Sequence, residues 1–141
     1  MLDIMEITIK DKILIVGRFD NGPLLCNVSG HYITFGNSKR IFGELPASGF
    51  LVESTPKAKK VSEFLGITLQ TTEFYAKKET IKFLKILLKN NILPIGGVIA
   101  SKTYPELVYG IVPVKGFERV PLNKKRVQIN VFNVEIEKNK K

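Results

Sequence analysis

The sequence predicts an α+β fold: a single domain with a largely antiparallel or mixed β-sheet and two or three helices packed on it. Three observations carry this expectation. Short β-type runs separated by turn residues fill residues 1–56. Residues 76–91 hold one strongly amphipathic helical stretch, and further short β-type runs follow it towards the C-terminus. The length of 141 residues and the 44% hydrophobic content are those of one globular unit able to bury a single core.

Taken in order, Glu6-Ile7-Thr8-Ile9-Lys10 alternates apolar and polar residues, and Ile13-Leu14-Ile15-Val16 is a continuous apolar run. Both read as strands, paired as a hairpin through Asp11-Lys12. Asp20-Asn21-Gly22-Pro23 is a strong turn signal. Residues 24–28 and 31–35 are two more β-type runs, hinged at Ser29-Gly30, and Gly36-Asn37-Ser38 turns the chain before residues 39–42. Pro46-Ala47-Ser48-Gly49 leads into a strand at residues 50–53. Ser54-Thr55-Pro56 has the form of a helix start, with Thr55 as cap and Pro56 at the first helical position. A short helix over residues 57–65 then ends at Gly66.

Residues 67–71 resemble a strand, and the long helix follows, ended by Asn90-Asn91. At about 100° per residue, Lys78, Lys82, Lys85 and Lys89 fall in one narrow arc, with Ile81, Phe83, Leu84, Leu87 and Leu88 across most of the other side. Pro94 and Gly96-Gly97 interrupt the apolar run at residues 92–100, which places its strand at 98–100. Residues 107–112 are a further strand, and residues 114–123 an irregular loop. Val127, Ile129 and Val131 share one phase while Phe132, Val134 and Ile136 share the other, so a bulge or break is expected near Val131-Phe132. Residues 138–141 form a basic tail expected to fray.

From Ile67 to Ile136 the order strand, helix, strand, strand, strand loosely resembles the swivelling β/β/α domain of the small aconitase-like subunits. The nearest local echo is Leu87-Leu88-Lys89-Asn90-Asn91-Ile92-Leu93-Pro94 running into Val98-Ile99-Ala100. About half the chain is covered. The serine-rich catalytic turn of that family has no counterpart, since Thr71-Thr72-Glu73-Phe74-Tyr75 stands in its place.

Charge is the other informative feature. Residues 1–56 hold five Lys or Arg against six Asp or Glu, while residues 57–141 hold seventeen against seven. The whole net charge of +9 thus resides in the second part, as a basic face requires. Of the basic residues 18 are Lys and 4 are Arg, a composition that also follows from an AT-rich prokaryotic genome or adaptation to heat. The lone Cys26 favours a reducing compartment and the small-hydrophobe role of free cysteine. The first residues lack the pattern of a signal peptide, and no window is apolar enough for a membrane span, so a cytoplasmic protein is expected.

One His and one Cys do not supply a zinc or iron–sulfur ligand set, and no metal or other cofactor is expected. Nucleophilic catalysis would have to use His31, whose five-residue offset from Cys26 along β-structure puts the two on opposite faces. Asp20, Glu44, Glu53 and Glu73 are the carboxylates available for acid–base work. Gly96-Gly97 and Gly110 match no phosphate-cradling motif. No catalytic residue is therefore assigned.

The basic candidates are Lys57, Lys59 and Lys60 on the short helix, Lys78, Lys82, Lys85 and Lys89 on the long one, and Lys124, Lys125 and Arg126. They would hold a nucleic-acid backbone, RNA more than DNA, or another anionic partner. Tyr75, Tyr104 and Tyr109 would stack on unpaired bases if exposed. The expectation is a small basic non-enzymatic binding protein. Its alternatives are a subunit or interaction domain of a larger assembly, homo-oligomers included, and an enzyme acting on a phosphorylated small molecule.

Overall fold

The structure is a computed structural model that describes residues 1–121 and 124–136. The 138–141 tail lies outside the described residues. Among the described residues ten strands and two helices run in the order β1 (Leu2–Ile9), β2 (Lys12–Phe19), β3 (Leu24–Asn27), β4 (Ile33–Gly36), β5 (Ile41–Leu45), β6 (Thr55–Phe64), β7 (Ile67–Tyr75), α1 (Lys78–Lys89), β8 (Ile92–Gly96), α2 (Val98–Thr103), β9 (Tyr109–Pro113) and β10 (Val127–Asn133). Strands hold 48% of the described residues, and both helices are short. The fold is α+β in character, with a large mixed sheet.

That sheet has eight strands in the order β1-β2-β3-β8-β9-β10-β4-β5. The pairs β3–β8, β8–β9 and β10–β4 are parallel and the others antiparallel. It curls until its two edge strands meet. A Cβ on Gly43 of β5 would lie 2.8 Å from Leu2 Cβ of β1, so only glycine permits that approach. All eight strands send apolar side chains into the enclosed barrel, where Leu25, Ile33, Phe35, Leu45, Ile95 and Val127 are buried and Leu2, Phe19 and Ile111 pack against them. A second core lies outside, where α1 packs on the sheet. Phe83, Leu84 and Leu87 meet Leu14, Val16, Cys26, Val28 and Ile92 there. The alternation of β3 explains the division, since Leu25 faces in and Cys26 faces the helix.

The β1–β2 hairpin forms as expected, but its turn is Lys10-Asp11 rather than Asp11-Lys12, with Ile9 paired to Lys12. Both loop residues have positive φ, 49° and 66°, as a two-residue hairpin turn of the right twist requires. The irregularity expected in the last strand is also present, as a register shift between Val127 and Phe132 against β9.

Four expectations are corrected. Residues 57–65 are not a helix: Thr55-Pro56 opens strand β6, and Gly66 belongs to a hairpin turn. The strand placed at residues 98–100 is helix α2, and the strand of that region is β8 at Ile92–Gly96. Pro94 is tolerated because β9 begins to pair with β8 only at Ile95, leaving β8 with β3 alone at the proline. Residues 50–53 form no strand; their backbone joins the fold through the Val52 N–H, which donates to Val28 O at 2.9 Å. The long helix is trimmed to Lys78–Lys89, with Lys77 and Asn90 flanking it.

Candidate functional site

Strands β6 and β7 form a separate two-stranded sheet, hydrogen-bonded to each other and, among the described residues, to no other strand. Nine residue pairs, from Thr55–Tyr75 to Phe64–Ile67, make a ribbon about 30 Å long. Leu65 and Gly66 close it with φ of 48° and 86°, the two positive values of a tight hairpin turn. Residues 56–75 are all exposed, on both faces of the ribbon. It is an arm, not part of either core.

The arm carries charge and bare apolar surface together. Lys57 lies opposite Glu73, Lys59 opposite Thr71 and Lys60 opposite Gln70, with a bulge between Lys60 and Ser62. The Lys57 ammonium sits 5.9 Å from the centre of the Tyr75 ring. The Tyr75 hydroxyl donates to Glu73 Oε2 at 2.7 Å, and that bond to a carboxylate pushes the phenol above its ordinary range. Lys60 pairs with Glu63 at 3.9 Å, an exposed contact of little energetic weight. Towards the tip Val61, Phe64, Leu65 and Ile67 are 62% exposed or more.

Helix α1 begins two residues after the arm ends. Its lysines at 78, 82, 85 and 89 are exposed, opposite the buried Phe83, Leu84 and Leu87, as the sequence predicts. No side chain caps its N-terminus; the Lys77 N–H instead donates to the Tyr104 hydroxyl at 2.9 Å. Among the described residues the α1 lysines make no ion pair. From residue 55 to 89 the chain carries eight lysines against three glutamates.

The third basic group is built differently and belongs to the entry of β10. Lys125 Nζ donates to Glu118 O at 3.1 Å. The Arg126 guanidinium donates to Asn37 O at 2.9 Å and lies 4.8 Å from the Phe117 ring centre, so it ties β10 to the β4–β5 turn. Lys124 is exposed. The ten predicted basic residues are thus divided: seven are on the arm and α1, which adjoin, and three are in a loop beside β4.

Of the tyrosines proposed to stack on bases, only Tyr75 is exposed, at 46%. Tyr104 is corrected to a core residue, 1% exposed, under the start of α1. Tyr109 is half-buried and donates to Glu106 O at 2.9 Å. His31 is an exposed loop residue and Cys26 is buried in the outer core, where burial pushes its thiol up. His31, Ser29, Thr34 and Lys125 border a hollow of about 110 Å³ at the barrel mouth, smaller than the roughly 300 Å³ of the smallest usual ligand pockets. Asp20, Glu44, Glu53 and Glu73 are exposed on different segments, and no cluster of metal-ligating side chains occurs among the described residues. Nor is any helix among them long and apolar enough to cross a membrane.

The sequence reading missed the arm itself and the apolar residues Phe64, Leu65, Ile67 and Leu69 at its tip. The available signal was the two-residue Leu65-Gly66 turn between Phe64 and the β-type run at Ile67. No family model matches the chain, and neither a curated protein nor a solved structure matches it.

Proposed function

We propose that this chain is a non-enzymatic nucleic-acid-binding protein that grips the phosphate backbone with the lysines of the β6–β7 arm and helix α1. One observation carries the reading: seven predicted basic residues are exposed to solvent on two elements that adjoin in sequence, and only Lys60 among them has an ion-pair partner among the described residues. Unpaired cations along a surface attract a polyanion and release its counterions on contact, which makes affinity fall steeply with salt. Lysine acts here as a point charge, suited to phosphates without preference for base sequence. Tyr75, exposed beside Lys57, adds one ring on which an unpaired base can stack, and this favours single-stranded RNA over duplex DNA as the preferred ligand.

Charge reversal tests the assignment. Fluorescence anisotropy with a labelled single-stranded RNA should show weaker binding for Lys82→Glu plus Lys85→Glu, with a salt slope reduced by about 2. The triple variant Lys57→Glu, Lys59→Glu, Lys60→Glu should weaken binding in the same way. Lys124→Glu should change it little. Affinity unchanged in the first two variants removes the arm and helix as the binding face.

A further inference from the structure

The two edges of the arm are built in opposite ways. Strand β6 carries Pro56, three lysines and a β-bulge, each a device that keeps an exposed strand from pairing with another chain. Strand β7, Ile-Thr-Leu-Gln-Thr-Thr-Glu-Phe-Tyr, carries none of them. It has one charge in nine residues, no proline and no bulge, and is rich in strong β formers. Its outward N–H and C=O groups have no strand partner among the described residues, because its sheet contains only β6 and β7. An isolated two-stranded ribbon is at best marginally stable in water, and a third strand changes that.

We infer that the free edge of β7 pairs with β7 of a second copy of this chain, giving a four-stranded antiparallel sheet across a two-fold axis. The strand's own pattern selects a copy of itself. One antiparallel register pairs all nine residues, and it is centred on Thr71. It sets Ile67 opposite Tyr75 of the second copy and Thr68 opposite Phe74 of the second copy, β-branched against aromatic at both ends. The only charge, Glu73, meets Leu69 of the second copy, so no like charges face one another. The lysine-bearing β6 strands become the outer strands, about 14 Å apart at three strand spacings. That exceeds the Debye length of about 8 Å at physiological salt, so the two basic edges scarcely repel. The inference does not depend on nucleic-acid binding; it would leave the α1 and β6 lysines of both copies free for it.

Sedimentation of the intact chain without nucleic acid, over a concentration series, tests this. The wild type should run as a dimer. Leu69→Lys plus Thr71→Lys, which gives β7 the protection β6 has, should raise the dimer dissociation constant tenfold or more. Neither residue contributes to the two cores, so an unchanged far-ultraviolet circular dichroism spectrum of the body separates loss of pairing from loss of folding. Spin labels place the contact: those at Thr71→Cys should lie closer across the dimer than those at Leu65→Cys. A wild-type monomer throughout, a dimer that survives both edge lysines, or labels closer at 65 than at 71 would each overturn the inference. Lys82→Glu plus Lys85→Glu should dimerise like the wild type, which keeps this outcome distinct from that of the nucleic-acid reading.

Discussion

Single residues decide how α1 is held. Leu84 is fully buried between the helix and β2, β3 and β8, so Leu84→Ala leaves a cavity and should cost about 2–5 kcal/mol in denaturant unfolding. Tyr104 supplies the hydroxyl that accepts the Lys77 N–H ahead of the first helical turn, a role no side chain of the helix fills. Tyr104→Phe should therefore cost about 1–2 kcal/mol while leaving the packing in place. Cys26 gives a pH signature. Its folded-state pKa is raised by burial, so the unfolded chain loses this proton first as pH rises. Stability is unaffected below the ordinary thiol pKa of about 8.5 and falls between there and the raised folded value. Cys26→Ala should lack that alkaline decline in urea-unfolding midpoints. The burial of Cys26 was readable from its apolar run, whereas that of Tyr104 was not. Tyr104 sits beside Pro105 in a segment without periodicity, and its place under α1 depends on tertiary contacts alone.

At the scale of elements, α1 was legible because one face is buried and one is not. The arm was hidden for the complementary reason: with both faces in solvent, it has no buried stripe to impose a period of two. Its bulge after Lys60 further blurs the alternation, and Thr55-Pro56 with Gly66 imitates the start and stop of a helix. The β-branched Val98-Ile99 misled in the other direction, since in the twelve-residue crossover joining parallel β8 to β9 six residues fold as helix whatever their β propensity. Exposure also predicts independence. Replacing residues 57–74 by a short Asn-Gly turn should leave the two cores intact and shift stability by no more than about 0.5 kcal/mol. A thermal melt checks it, and loss of the cooperative transition would mean that the arm supports the body.

On the whole molecule, half of the excess charge of residues 57–141 falls on the segment of the arm and α1, which carries eight lysines against three glutamates. The first 56 residues build most of the closed sheet and carry almost no net charge. The segment that leaves the sheet after Leu45 and returns to it at Ile92 carries the arm, α1 and eight of the eighteen lysines. This asymmetry was legible from composition, but closure of the barrel was not, because it depends on Gly43 and Leu2 meeting across the two ends of the sheet. The most direct test of the account is the affinity of the wild-type protein for single-stranded RNA across a series of salt concentrations. Contact by four to six lysines predicts tight binding at low salt and a slope of log K against log salt of about −3 to −4. Absence of binding at low salt, or binding indifferent to salt, would contradict it and leave the lysines as a solvated surface.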